Sequence, residues 1–266
     1  MSNDVMTSIQ EPPEFVKDDP SNLHKLHSLN ILDKFYQSAE EIEVTDDCDP
    51  VSSDVNTKMG KGIYSFSMSP VITCPHASSR CLSTCYVVRL LKTRKCVRDA
   101  YMRNYELSKQ SGFEDMIVGS IIKNNINTMR VHVSGDFYSA EYAEKWLNIS
   151  RRSPNTKFYC YTRSWKDPEI RRVLSSMSRR KDWSVWYSTD AEMGVINNKP
   201  KNVRVAYLMM DDEDVPEFGG IDNVFRVKRN TVLEDVNGAP VCTNETGIKH
   251  EPKITCAKCK RCIDRA

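Results

Sequence analysis

The feature that most constrains this chain is a rhythm of short β-type runs separated by amphipathic helical stretches. Residues 128–134, 157–163, 183–189, 203–209 and 224–228 read as strands, because β-branched and aromatic residues recur there in short runs. Between them, residues 139–152 and 167–180 carry apolar residues at three- and four-residue spacing and read as helices, the second capped by Asp167 with Pro168 in its first turn. Upstream, residues 63–68 form a strand entered through Gly60 and Gly62, and 86–109 and 113–124 read as two further helices. A helix between successive strands returns the chain to the same end of the sheet, so the strands pair in parallel. The expected fold class is therefore α/β: a partial (β/α) barrel or mainly parallel sheet with crossover helices, plus a cysteine-rich C-terminal tail. Ligands of such sheets sit at the C-terminal ends of the strands.

A chain of 266 residues suits one such domain with appendages. Residues 1–54 hold 13 of the 36 acids but 3 of the 38 bases, together with Pro12, Pro13, Pro20 and Pro50. They read as an acidic, largely disordered extension. Residues 55–235 form the expected β/α domain, and 236–266 a cysteine-rich metal-binding segment. The remainder beyond residue 54 carries 35 bases against 23 acids. That excess suits an anionic partner such as a nucleotide or nucleic acid, although scattered Lys and Arg also serve solubility alone. No run approaches the roughly 18 apolar residues of a membrane span, and no export signal opens the chain, so a cytoplasmic protein without a membrane partner is expected.

In a reducing compartment ten cysteines point to metals rather than disulfides. Cys74, Cys81 and Cys85 fall within twelve residues, on a loop between the first strand and the first helix. Three thiolates hold three corners of a [4Fe-4S] cubane and leave the fourth iron open to chelate the amino and carboxylate groups of S-adenosylmethionine (SAM). The rival is a zinc site completed by His76 or a distant ligand. A second group, Cys256, Cys259 and Cys262, has C-x2-C-x2-C spacing and would be completed by Cys242. It suits either a second [4Fe-4S] cluster or zinc. Cys48, Cys96 and Cys160 stand apart and read as ordinary thiols.

Polar residues recur where the strands end. In 128–134, Arg130, His132 and Ser134 alternate with apolar residues and are expected to face a polar cavity. Ser134, Gly135 and Asp136 then form a turn that suits the SAM ammonium, Arg163 suits a carboxylate or phosphate, and Ser188 and Asp190 suit ribose hydroxyls. Each has a plain structural alternative as a turn or cap residue. Trp146 and Trp183 read as core, whereas Trp165 stands at a strand end where it could stack on a base.

The stretch from Asn56 to Lys58, the Cys74-x6-Cys81-x3-Cys85-Tyr86 loop, Arg130 through Phe137, Tyr161 through Trp165, and the terminal Cys256-x2-Cys259-x2-Cys262 together resemble the bacteriophage gene-product-88 family over about residues 55–264. The resemblance implies a phage or prophage origin. That family's own similarity to radical SAM enzymes implies that Cys74, Cys81 and Cys85 hold the catalytic cluster and that Ser134, Gly135 and Asp136 stand where the methionyl amine binds. The cysteine spacing here departs from the three and two intervening residues usual in those enzymes, and the aromatic Tyr86 follows the third cysteine instead of preceding it. The expected activity is reductive cleavage of SAM, fed by an electron donor, to modify a nucleotide, nucleic acid or other anionic substrate. The alternative is a non-catalytic zinc- or iron-sulfur-stabilised protein that binds nucleic acid or a host factor.

Overall fold

A computed structural model describes residues 49–52, 57–212 and 214–264. Most of the acidic extension, Cys48 and Asn56 therefore lie outside the described residues. Six strands, β1 (Tyr64–Phe66), β2 (Thr128–Val131), β3 (Lys157–Thr162), β4 (Trp183–Thr189), β5 (Arg204–Met209) and β6 (Asn223–Arg226), form one sheet. Their spatial order is their sequence order, and every neighbouring pair is parallel. The helices are α1 (Ser79–Ser83), α2 (Tyr86–Thr93), α3 (Lys95–Lys109), α4 (Phe113–Lys123), α5 (Ala140–Arg152), α6 (Pro168–Arg179) and α7 (Cys256–Cys259). A short hairpin of β7 (Asp235–Val236) and β8 (Ala239–Pro240) follows β6.

Sequential order has a consequence for the two faces. A doubly wound sheet reverses direction partway and covers both faces with helices, whereas right-handed crossovers that always add the next strand on the same side put the helices on one face. That is what the packing shows. Phe66, Met129, Val131, Phe158, Cys160, Trp183, Val185 and Tyr187 from the strands share one core with Phe113 and Ile117 of α4, Tyr142 and Trp146 of α5, and Val173 and Leu174 of α6. The α/β expectation holds, with the strands in the order of a singly wound, barrel-like sheet. Asp167 caps α6 by accepting from the Glu169 and Ile170 N–H groups at 2.8 and 3.0 Å, a cap worth about 1 kcal/mol. Ser139 caps α5 in the same way through Tyr142 N–H.

Two local expectations are corrected. The helical stretch 86–109 is two helices, α2 and α3, broken at Arg94, whose φ of −119° and ψ of 86° leave the helical region. No Gly or Pro marks the break, and both halves keep an apolar stripe. The second correction concerns β2, which stops at Val131 because His132 takes a φ of +68°. A left-handed residue resets the alternation. His132 therefore turns into the helix-side aromatic core, bonded to the Tyr142 hydroxyl at 2.8 Å and edge-on to Phe137. Val133 passes to the opposite cluster. Of the three polar residues expected to share a face, Arg130 keeps it alone, and burial holds the His132 imidazole neutral by pulling its pKa down to about 3.

The helix-free face is covered by the C-terminal segment. Cys256 N–H and Ala257 N–H donate to the Lys58 and Met59 carbonyls, both at 2.9 Å. The Cys262 carbonyl accepts from Ser184 Oγ at 2.9 Å, Trp186 Nε1 at 3.0 Å and Arg204 at 3.1 Å. Thr255 approaches so closely that a Cβ on Gly60 would stand 2.6 Å from its hydroxyl, and Gly60 itself has a φ of +81°, so both space and backbone require glycine there. At the other end, Asp49 accepts hydrogen bonds from Ser120 of α4 and from Asn124 at its C-cap, and Ser52 pairs with Ser65. Among the described residues, no helix is long and apolar enough to cross a membrane.

Candidate functional site

The first cysteine group lies where the sheet geometry puts ligand sites. β1 ends at Phe66 and the chain enters a loop whose turns are fixed by Thr73 Oγ1 donating to the Ser69 carbonyl at 2.6 Å and by Cys74 N–H donating to the Val71 carbonyl at 3.1 Å. Ser78 caps α1 by accepting from Cys81 N–H at 3.0 Å, and Cys85 stands at the N-cap position of α2. Burial is the main influence on all three thiols and raises the pKa of each, that of Cys74 most strongly. Their charges also act on one another: Cys74 feels Cys81 and Cys85, and Cys85 feels Cys81. Three influences oppose the burial: the backbone of Val71 at Cys74, the Arg163 guanidinium beside Cys81, and the Val88 and Val87 N–H groups beside Cys85.

The following strand ends grip this loop. Ser134 Oγ donates to the Met68 carbonyl at 2.8 Å, and Asp136 N–H donates to the Thr73 carbonyl at 2.9 Å. Gly135, with a φ of +85°, lies so near the loop that an added Cβ would be 2.7 Å from Thr73 Oγ1. Asp136 turns one carboxylate oxygen to its neighbour Phe137 N–H at 2.7 Å and the other to Arg163 N–H at 2.8 Å. Burial pushes its pKa up to about 6 in spite of hydrogen bonds from Thr162 and from those two N–H groups. Arg163 and Asp190 form a buried ion pair at 2.6 Å that also takes in Ser78 and Met193. The structure thus brings Asp136, Arg163 and Asp190 together around the cysteine loop, where they brace it. Ser188 is half-buried at the end of β4, and its carbonyl accepts from Trp165 Nε1 at 2.8 Å. Trp165 is itself buried and stacked on Tyr187. Trp146 and Trp183 are core, as expected. His76 faces Asp167 at 4.0 Å.

The second group forms on the helix-free face. Cys256 and Cys259 bound α7, and Cys242 follows the β7–β8 hairpin. Cys262 acts electrostatically on Cys242, and Cys256 and Cys259 act on Cys262, so the four thiols share one neighbourhood. Burial raises the pKa of Cys242 to about 11 and also raises those of Cys256 and Cys262. Among the described residues, no three Cys, His, Asp or Glu side chains stand where they could hold a metal ion.

Residues 50–265 match the family model described as Gene product 88. This chain belongs to that family. It is 24% identical over 203 residues to the Gene 88 protein of Mycobacterium phage L5, covering 72% of this chain and 78% of the relative. The Gene 88 protein of Mycobacterium phage D29 is 23% identical over the same span and coverage. Both relatives are phage proteins, which supports a bacteriophage origin. No solved structure matches the chain.

Several residues of this family member entered the site without being read from its sequence. Lys58 pairs with Glu245 at 2.6 Å beside Cys242. The carboxylate of Glu192 accepts from the Ser79 and Arg80 N–H groups, and so covers the start of α1. Thr73 and Ser78 lock the cysteine loop from within. Ser78 stands three residues before Cys81, the spacing of an N-cap, and that was the one available signal.

Proposed function

We propose that this phage-family protein is a radical SAM-type iron-sulfur enzyme, active in the host cytoplasm, with Cys74, Cys81 and Cys85 holding a [4Fe-4S] cluster. The observation that carries the reading is placement. Three deep thiols, within electrostatic reach of one another, sit past the end of the first strand of a sequentially ordered parallel sheet, and the next three strand ends enclose them. The donor set suits the cluster, because three thiolates leave one iron for a chelating ligand. Bound there, such a cluster supplies the electron that cleaves the sulfonium of SAM reductively.

The chain's own part is to hold and select. The brace of Ser134, Gly135, Asp136, Arg163 and Asp190 fixes the backbone of the loop, and the cysteine side chains would converge on metal from that fixed frame. An ionised carboxylate has about four lone-pair positions. Asp136 accepts from the Phe137 and Arg163 N–H groups and from the Thr162 and Ser164 side chains, so a ligand ammonium at this carboxylate would have to displace one of the two hydroxyls. Ser188 is open to a ligand hydroxyl. The excess of basic residues beyond residue 54 favours an anionic substrate, with a nucleotide or nucleic acid as the first class to test.

Metal and sulfide analysis after anaerobic reconstitution tests the reading. The enzyme reading expects iron and acid-labile sulfide, with Cys74→Ala losing about four irons per chain. Stoichiometric zinc without sulfide, together with salt-dependent nucleic-acid binding, would instead establish a metal-stapled binding protein.

A further inference from the structure

Arg130 is the one basic side chain of β2, and it points to the helix-free face. It lies deep in the structure yet keeps some open surface. Its Nε donates to the His132 carbonyl at 3.3 Å, and its guanidinium stands 6.0 and 5.4 Å from the ring centres of Tyr159 and Tyr161. Among the described residues it has no carboxylate partner. A buried guanidinium without a counter-charge is costly, so a persistent anion is expected beside it.

The two tyrosines repeat the same message independently. Tyr159 is 1% exposed, and among the described residues neither its hydroxyl nor that of Tyr161 has a nitrogen or oxygen partner. Register puts Arg130 beside Tyr159 and Tyr161 beside Trp186 on one face. Tyr161 and its neighbour Tyr159 pack against Cys256, Ala257 and Cys262 in one cluster, and the Tyr161 hydroxyl is aimed at the Cys262 thiol. Lys58 brings a second cation to Cys242 and Cys256. Arg130, Tyr159 and Tyr161 therefore bring donors to the C-terminal cysteines from the strand side, and among the described residues the guanidinium has no carboxylate and the Tyr159 hydroxyl no hydrogen-bond partner.

We infer that Cys242, Cys256, Cys259 and Cys262 hold an anionic iron-sulfur cluster, and that Arg130, Tyr159 and Tyr161 form its donor wall. Inorganic sulfides offer acceptors beyond the four thiolates, and such acceptors are what the Tyr159 hydroxyl and the guanidinium lack. Arg130 is here a positioning and charge-compensating residue, not a catalytic one. A cation beside a cluster favours its reduced, more negative state, so Arg130 raises the reduction potential. The inference stands on residues separate from Cys74, Cys81 and Cys85 and does not require SAM chemistry.

The test uses the full chain carrying Cys74→Ala, Cys81→Ala and Cys85→Ala, so that any remaining cluster belongs to the C-terminal group. After anaerobic reconstitution with iron and sulfide, this variant retains about four irons and matching sulfide per chain. Adding Arg130→Met keeps that content and lowers the midpoint potential by about 59 mV or more, a tenfold change in the one-electron equilibrium. Arg130→Lys restores part of the shift, and Tyr161→Phe, which removes one hydroxyl, moves the potential in the same direction by less. Zinc without sulfide in the triple variant would overturn the inference, as would potentials unchanged by both Arg130→Met and Tyr161→Phe. If the native chain and the triple variant hold equal iron, the first-site reading fails while this one stands.

Discussion

Gly135→Ala measures how firmly β2 grips the cysteine loop. At a φ of +85° an alanine meets the left-handed penalty, about 1–2 kcal/mol. Its Cβ would stand 2.7 Å from Thr73 Oγ1 and 3.2 Å from Met68 Cβ, so Thr73 must move. The displaced hydroxyl donates to the Ser69 carbonyl at 2.6 Å, and losing that bond adds about 1 kcal/mol. The expected loss is about 2–3 kcal/mol, read as a lower urea midpoint at unchanged slope for the metal-free, reduced protein. Thr73→Ala removes the clashing hydroxyl. In that background Gly135→Ala should cost only the backbone part, so the pair is non-additive by about 1 kcal/mol. Equal costs in both backgrounds, or a loss under about 0.5 kcal/mol, would refute the argument that this glycine is required by close approach to the loop.

Two further outcomes follow from the same brace. Asp136 has its pKa raised to about 6 from an ordinary 3.8, so the folded state holds its proton more tightly, and the associated stability is lost as pH rises from about 4 to 6. The loss is about 3 kcal/mol at about 1.4 kcal/mol per pH unit. The penalty of Asp136→Asn should therefore shrink across that window in urea titrations, and a penalty that grows with pH would contradict the assignment. Arg163→Met leaves Asp190 buried without its partner and should cost about 3–5 kcal/mol. Adding Asp190→Asn should recover part of that cost, which a double-mutant cycle on thermal unfolding would register.

The β/α rhythm was legible because strands such as Trp183–Thr189 are continuous apolar runs and helices such as Pro168–Arg179 carry both a cap and a stripe. The association of Cys242 with the terminal trio was read from ligand count alone; in the structure Cys242, Cys256 and Cys259 lie within electrostatic reach of Cys262, but among the described residues no three such side chains stand where they could hold a metal ion. What was not legible depended on backbone conformation or on long-range docking. His132 adopts a positive φ that no glycine announces, and this single residue decides which polar side chains face the tail. Arg94 ends a helix without a breaker residue. Asp136, Arg163 and Asp190 were found as a group, but their engagement with Thr73, Ser78 and one another follows from contacts between segments up to 112 residues apart. Arg130 read only as a polar strand residue, because its importance arises from the tail that folds over it.

A radical SAM-type enzyme requires that Cys74, Cys81 and Cys85 support SAM cleavage. The direct measurement is 5′-deoxyadenosine formed from SAM by the reconstituted chain with dithionite as reductant. Product is expected from the native sequence and none from Cys81→Ala, whose iron content falls by about four per chain. A fully iron-loaded native protein that forms no 5′-deoxyadenosine, or a Cys81→Ala variant that forms as much as the native chain, would contradict it.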